Sequence, residues 1–299
     1  MSAPETAREE TAQAGKPVLE IRNISKTFHL PGAEAFKAVD DVSLSVHPGE
    51  CVAIVGESGS GKSTVARMAL SLLRPDSGQV FLEGRSLLDM SPRELRTRRL
   101  AMQPVFQDPS ASFNPRRSVW SSLRQAIAQG TTPEPDMRAR ALELLSQVEL
   151  RPPENYVERY PHELSGGQRQ RLAIARALAP RPRLIIADEP LSGADVSIRA
   201  QILNLLLDLQ AQQNIAFLLI THDMLVARAL AQRVVVMHHG RIVEQGETEQ
   251  VMQSPREAYT QRLLAAVLDV DLAPPPTPTP TPASPSAPPD SLPNKARSA

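Results

Sequence analysis

The stretch GESGSGKST at positions 56–64 constrains this chain more than any other feature. It fits the pattern G-x-x-x-x-G-K-[ST], in which a glycine-rich loop lets backbone N–H groups surround phosphate. The apolar run CVAIV at 51–55 precedes it, as expected for a buried parallel strand. Residues 65–73 follow as a predicted helix that ends at Arg74 and Pro75. A strand, a glycine loop and a helix N-terminus in this order predict a phosphate-binding site.

The whole loop supplies candidate phosphate contacts: Gly56, Glu57, Ser58, Gly59, Ser60, Gly61, Lys62, Ser63 and Thr64. Among these, Lys62 is expected to reach the terminal phosphates and Ser63 a Mg²⁺ ion. Lys62 is also the only lysine between Ala38 and Asn294. A compact ammonium fits among phosphates where a planar guanidinium does not, so this isolated lysine favours a specific role.

Composition excludes several other classes of protein. The chain has 299 residues, of which 41% are hydrophobic and 22% charged, as is ordinary for a soluble globular protein with a large core. Its 33 basic and 33 acidic residues balance, which gives no electrostatic case for nucleic acid. No apolar run is long enough to span a bilayer, and the polar N-terminus lacks a signal-peptide pattern. With Cys51 as the single cysteine, an internal disulfide framework is excluded. We therefore expect a cytosolic chain.

A second set of polar residues follows two buried strands. Residues 184–187 are apolar and lead into Asp188 and Glu189, and residues 215–220 lead into Thr221 and His222. Because side chains alternate along a strand, Asp188 is expected to face a metal ion and Glu189 a water molecule in line with the γ-phosphate. Taken alone, the acidic pair also fits a solvated turn, and His222 a histidine that caps backbone. After a phosphate loop, the acidic pair predicts ATP hydrolysis.

Several ordered motifs resemble those of ATP-binding-cassette (ABC) ATPases over about residues 17–265. They are the phosphate loop, Gln107 at the position of the Q-loop glutamine, the signature LSGGQ at 164–168, the acidic pair, and His222 as the switch histidine. The resemblance implies an α/β fold with a P-loop NTPase core built on a mixed, mainly parallel sheet. An antiparallel β subdomain and an inserted α-helical subdomain are expected to complete that fold.

The resemblance also implies roles for individual residues. Catalysis is expected from Lys62, Glu189 and His222, and Mg²⁺ binding from Ser63, Gln107 and Asp188. Phe28 lies where the family has an aromatic residue that stacks on adenine. Further ATP contacts are expected from Ser165, Gly166, Gly167, Gln168 and Asp195. The signature residues are expected to cap the ATP of a partner subunit, so the working unit is a head-to-tail dimer.

Other segments resemble the oligopeptide and dipeptide importer ATPases more narrowly. These segments are VFQDP at 105–109 with SFNPR at 112–116, YPHEL at 160–164, and Ser254-Pro255 with AYT at 258–260. The chain departs from the family at residues 192–195, which read Ser-Gly-Ala-Asp instead of Ser-Ala-Leu-Asp. That departure puts the tightness of communication across the dimer in doubt.

The expected partners follow from the same resemblance. They are a second ABC ATPase subunit, identical or different, two transmembrane permeases, and indirectly an extracytoplasmic solute-binding protein. ATP and Mg²⁺ are the expected cofactors, the cytoplasmic face of the cell membrane is the expected location, and no nucleic acid is expected. An importer for nickel or another small solute, an exporter, a non-hydrolysing structural cassette and a soluble ABC ATPase outside transport stay open as alternatives.

The expected domain boundaries are a disordered tail over 1–16, an ABC ATPase domain over 17–272 with its helical subdomain at about 108–180, and a Pro-rich disordered tail over 273–299. Pro104 is expected at a sheet edge or bulge, because it has no N–H to donate. Phe113 is expected to be an exposed docking residue for a permease, with burial in the helical region as the alternative. The His238-His239 pair is expected to be exposed without metal.

Local patterns give further expectations. Ser91 with Glu94, and Ser165 with Gln168, predict capping boxes at the starts of two helices. Arg96, Arg98 and Arg99 are expected on a solvated helix face. A strand is predicted over residues 38–46.

Overall fold

The structure is a computed structural model, and it describes residues 15–29, 32, 34–130, 134–193 and 195–272. The expected Pro-rich tail lies outside the described residues, as does the expected N-terminal tail except for Gly15 and Lys16. The domain boundaries named above therefore stay predictions. Among the described residues, every helix is too short or too polar to cross a membrane.

Ten strands form two sheets in the described part of the chain. They are β1 (Leu19–Phe28), β2 (Phe36–Val46), β3 (Cys51–Val55), β4 (Ser77–Leu82), β5 (Arg85–Ser86), β6 (Met102–Val105), β7 (Leu184–Asp188), β8 (Ala216–Thr221), β9 (Arg233–His238) and β10 (Arg241–Glu247). One sheet has the order β2-β1-β4-β5 and is antiparallel. The other has the order β10-β9-β3-β8-β7-β6.

The six-stranded sheet is mixed and mainly parallel. Strands β9, β3, β8, β7 and β6 run parallel to their neighbours, and β10 adds an antiparallel edge. Strand β6 forms the opposite edge, so Pro104 lies on an edge strand as predicted, opposite Ile186 of β7. A proline is tolerated there because the outer side of the strand has no ladder hydrogen bond to lose.

Ten α-helices complete the described residues. They are α1 (Lys62–Ala69), α2 (Pro92–Arg98), α3 (Val119–Gln129), α4 (Met137–Gln147), α5 (Glu154–Val157), α6 (Gly166–Leu178), α7 (Val196–Gln213), α8 (Met224–Leu230), α9 (Thr248–Gln253) and α10 (Ala258–Leu272). The capping boxes predicted from Ser91 with Glu94 and from Ser165 with Gln168 are both formed. Helices α3 to α6 lie between β6 and β7, where the helical insertion was predicted.

Both faces of the six-stranded sheet are covered. Alternate residues of β3 face opposite sides, with Ala53 and Val55 in one buried cluster and Val52 and Ile54 in the other. The first cluster holds the apolar side chains of α3, α4 and α6, and the second holds those of α1 and the antiparallel sheet. Burial on two faces explains why the central strands are continuously apolar. It also leaves the strand ends as the places where polar side chains can gather.

Phe113 is buried, so its prediction as an exposed docking residue is wrong. Only 7% of Phe113 is accessible, and its ring lies within the cluster that includes α3 and α6. The guanidinium of Arg176 covers the ring at 4.7 Å from its centroid. That guanidinium also donates to the carbonyl of Ser112. An arginine on α6 therefore fixes the loop that its sequence pattern suggested was free.

Three other local expectations need correction. Helix α1 starts at Lys62, three residues before the predicted start, and ends at Ala69. Arg99, expected on a solvated helix face with Arg96 and Arg98, instead donates to the carbonyl of Leu70 at 3.2 Å and so caps α1. His238 is half-buried and stacks on Tyr259 with ring centroids 3.9 Å apart, whereas its neighbour His239 is exposed as expected.

Gly78 within β4 and Gly84 just after it offer a matched test of the close approach between β4 and β1. Gly78 has φ +86°, and a Cβ there would lie 2.3 Å from the carbonyl oxygen of Asn23. Gly84 has φ +76°, and a Cβ there would meet nothing within 4 Å. Gly84→Ala should cost about 1–2 kcal/mol, the usual left-handed penalty. Gly78→Ala should cost clearly more, as measured by urea unfolding. Equal losses would contradict the contact.

Candidate nucleotide site

The candidate site lies at one edge of the six-stranded sheet, where three parallel strands end. Strand β8 pairs with both β3 and β7, so their carboxyl ends are neighbours. The glycine loop leaves β3, Asp188 ends β7 and Thr221 ends β8. Ligands of open α/β sheets bind at such an edge. The fold therefore brings together residues that are more than a hundred positions apart in the sequence.

The loop before α1 has a shape that an added Cβ would disturb. Gly61 has φ +103° and forms the N-cap of α1, and a Cβ at this position would lie 2.3 Å from the carbonyl oxygen of Ala38. The N–H of Val65 donates to the carbonyl of Gly61 at 3.0 Å and so closes the first turn of the helix. The preceding amides of the first turn have no intrahelical acceptor and suit an anion.

Lys62 is the buried cation of this site. Only 5% of the residue is accessible, and its Nζ donates to the carbonyls of Gly56 and Glu57, both at 2.7 Å. Burial lowers the pKa of Lys62, and the carboxylates of Glu189, Asp188 and Glu57 act in the opposite direction. The ammonium thus lies within its own loop with acidic groups close by, as a phosphate-binding lysine requires.

Ser63 and Asp188 form a hydroxyl–carboxylate pair beside the loop. The Oγ of Ser63 donates to Oδ1 of Asp188 at 3.1 Å. Burial raises the pKa of Asp188, and the hydrogen bond from Ser63 partly offsets this rise. These are the hard oxygen donors that Mg²⁺ prefers, and a cation beside Asp188 would offset the cost of its burial. In the described residues, no group of three or more acidic, histidine or cysteine side chains forms a metal cage. Phosphate and water would have to supply the remaining ligands.

Glu189 and His222 form a second pair at the same edge. The Nδ1 of His222 lies 3.1 Å from Oε1 of Glu189. Glu189 does not continue the strand, because its backbone is left-handed with φ +48°. Its N–H donates to the carbonyl of Ile220 at 2.8 Å. Asp188 contacts Ser63 and Glu189 contacts His222, but the left-handed backbone of Glu189 departs from the strand alternation on which the expectation rested, so the roles of the two carboxylates stay predictions. Glu189 also lines the cavity of about 220 Å³ that contains Lys62 and Ser63.

That cavity contains an aromatic residue that sequence reasoning missed. Phe28 and Phe36 are directly paired between β1 and β2, they are 37% and 55% exposed, and both line the cavity beside the loop. Phe28 was predicted from the family pattern. Phe36 lies just before the strand predicted from residue 38, between Ala35 and Lys37, and belongs to no motif. The role of Phe28 in stacking on adenine stays a prediction.

Four of the other candidate residues line a separate cavity of about 390 Å³. Its lining includes Gln107, Gly166, Gly167 and Asp195, and none of the loop residues 56–64. Gln107 donates from Nε2 to Oγ of Ser192 at 3.2 Å. Asp195 caps α7, and Ser165 with Gln168 caps α6. Within this one chain the structure does not bring the signature residues or Gln107 to Lys62.

Fold and site together define a phosphate-loop nucleotide-binding cassette. The family model described as ABC transporter matches residues 39–192 of this sequence. The chain belongs to the ABC transporter family. The predicted resemblance and the predicted fold class are confirmed. The roles of the individual site residues stay predictions.

Known structures and relatives agree with this assignment. The chain is 32% identical, with a TM-score of 0.69, to the dimeric ATP-binding cassette MJ0796 bound to ADP and Pi, over 77% of this chain and 98% of that one. It is 25% identical, with a TM-score of 0.71, to cbiO1 from Clostridium perfringens, over 87% and 100%. It is 45% identical to the glutathione import ATP-binding protein GsiA of Escherichia coli K12 over 266 residues, which are 87% of this chain and 42% of GsiA. The chain thus spans less than half the length of that relative.

The buried position of Lys62 generates a test. Lys62→Ala should weaken ATP binding at least about tenfold, since a hydrogen bond to a charged group is worth about 1.5–3 kcal/mol. Lys62→Arg should bind almost as poorly, because a planar guanidinium does not fit between the Gly56 and Glu57 carbonyls. The measurement is ATP titration by calorimetry, with Lys16→Arg as the control for the same change at an exposed lysine. Full affinity in Lys62→Arg would remove the argument from ammonium geometry.

Proposed function

We propose that this chain is the ATP-hydrolysing subunit of an importer for oligopeptides or dipeptides, and that it works at the cytoplasmic face of the cell membrane. The observation that carries the proposal is that the Ser63–Asp188 pair and the Glu189–His222 pair each contribute one residue, Ser63 and Glu189, to the lining of the Lys62 cavity. Similarity to a relative whose name specifies glutathione, a tripeptide, supports the peptide class. The narrower sequence segments point to the same class.

The residues of the site divide the chemistry between them. Loop amides and Lys62 bind the phosphates of ATP, and Phe28 and Phe36 offer aromatic faces for the base. Ser63 and Asp188 would hold Mg²⁺, which when bound neutralises charge on the phosphate oxygens. Gln107, also expected at Mg²⁺, lines the separate cavity in this chain and would have to move to join them. Glu189 orients the attacking water by accepting its hydrogen bond. His222 holds the Glu189 carboxylate and would sense the terminal phosphate through this contact.

The separation of the two cavities supports a dimer. Helix α6 begins at the signature residues, and its N-terminal amides are suited to an anion. In this chain they line the cavity with Gln107 and Asp195 and not the one with Lys62. We therefore propose that a second ABC ATPase subunit, of the same or a related sequence, supplies its signature residues to the ATP on Lys62. The solved cassette MJ0796 is described as dimeric in a post-hydrolysis state.

A cleft on the helical side of the fold is the proposed permease contact. It measures about 490 Å³ and lies between the edge strand β6, helix α3 and the end of α6. Its lining includes Gln103, Gln125 and Gln129, together with Phe113 and Arg176 at its base. Phe113 thus supports the cleft from inside instead of contacting the partner as an exposed residue. Two permeases, one on each subunit, and indirectly a solute-binding protein complete the proposed importer.

The proposed role of Glu189 predicts a separation of binding from turnover. Glu189→Gln should bind ATP within about threefold of the wild type and hydrolyse it at least about a hundredfold more slowly, because the amide cannot activate water. ATP should then trap the variant as a dimer in size-exclusion chromatography. Glu143→Gln makes the same change on the exposed surface of α4 and should leave both properties unchanged. Near-normal turnover in Glu189→Gln would refute the role.

The cleft predicts a defect that appears only with partners present. Gln129→Trp should fill the cleft, so stimulation of ATPase activity by the assembled permeases should be lost. The neighbouring Ala128 is exposed and does not line the cleft, so Ala128→Trp should behave as wild type. Both variants should retain the ATPase activity of the isolated chain within about twofold. Normal stimulation in Gln129→Trp would mean that the permease contacts another surface.

A further inference from the structure

Tyr259 connects the last described helix to the phosphate loop. It is the second residue of α10 and lies in the AYT segment that the proposed function leaves unexplained. The residue is only 7% exposed. Its hydroxyl accepts a hydrogen bond from the backbone N–H of Glu57 at 3.0 Å. A side chain from the far end of the fold therefore contacts the second residue of the loop directly.

The contact falls on the peptide group that also holds Lys62. The carbonyl of Gly56 and the N–H of Glu57 belong to one planar peptide unit. That carbonyl accepts from Nζ of Lys62 at 2.7 Å, and that N–H donates to Tyr259. The two bonds therefore restrain opposite ends of the same rigid group. Rotation of this peptide would break both bonds and move the acceptor that holds the ammonium.

The ring of Tyr259 is itself held in place from behind. It stacks on His238 with an interplanar angle of 25°, and His238 ends β9. The preceding residue, Met237, places its carbonyl oxygen 2.2 Å from where a Cβ on Gly56 would lie. The N–H of Gly240 donates to the carbonyl of Ser60 at 3.0 Å. The turn after β9 and the start of α10 thus form one support beneath the loop.

We propose that Tyr259 is a positioning residue for ATP binding, because its hydroxyl sets the orientation of the Gly56–Glu57 peptide and through it the place of Lys62. The affinity for ATP then depends on the docking of α10 against the loop. Tyr259 itself touches no phosphate in this arrangement. The inference rests on the proposed role of the loop in ATP hydrolysis, but it concerns a residue outside the nucleotide cavity.

Tyr259→Phe is the sharpest test, because it removes the hydroxyl and leaves the ring stacked on His238. The KM for MgATP and the Kd for ATP should rise about three- to tenfold, the range expected for one net hydrogen bond. The kcat should stay within about twofold, and the melting temperature without nucleotide should not change. A residue with a merely structural role would lower the melting temperature and leave KM unchanged.

Tyr160→Phe provides the matched control. Tyr160 also stacks on a histidine, His162, but it is 41% exposed and lies in the segment before α6. This variant should keep the wild-type KM. An unchanged KM in Tyr259→Phe, or a rise that only follows a fall in melting temperature, overturns the inference. If the wild-type protein itself neither binds nor hydrolyses ATP, the proposed function fails instead, so the two failures can be told apart.

Discussion

The buried ammonium of Lys62 is the interaction on which the site depends. A charge in a site that is 95% inaccessible is costly unless hydrogen bonds and opposite charges surround it. Two loop carbonyls satisfy the ammonium directly, and the carboxylates of Asp188 and Glu189 favour its charged form. Those carboxylates are near only because β7 lies two strands from β3 in the sheet. The order of the strands is therefore what makes this lysine possible.

Much of the fold could be predicted because its signals are local. The capping residues of α2 and α6, the glycine loop and the apolar strands each depend on neighbours in sequence, and each was predicted correctly. The prediction that Phe113 is exposed was wrong because Arg176, 63 positions away, covers its ring. The prediction that Arg99 is solvated was wrong because its side chain donates to the carbonyl of Leu70, which lies on another element. Contacts between distant segments leave no periodic pattern in the sequence.

In the candidate site, too, the residues with a local sequence motif could be predicted and those without one could not. The motif residues at the strand ends were named from sequence, and the structure brings Lys62, Ser63, Asp188, Glu189 and His222 to one edge. Phe36 and Tyr259 carry no motif, because what matters is the surface that each side chain reaches through the fold. The gap between the signature helix and the loop could not be measured from spacing either. It follows from the separate cavities that the two sets of residues line.

The strained backbone of Glu189 costs stability and positions the carboxylate at this edge of the sheet. A non-glycine residue at φ +48° costs about 1–2 kcal/mol, and such strain persists only where the surroundings hold it. Here the N–H of Glu189 bonds to Ile220 and its carboxylate contacts His222. An extended backbone would keep the side chain in the alternation of β7, directed to the face opposite Asp188. The left-handed turn instead lets the Glu189 carboxylate contact His222 and line the Lys62 cavity, while the Asp188 carboxylate accepts from Ser63. A glycine would relieve the strain but remove the carboxylate, so this position favours catalysis over stability.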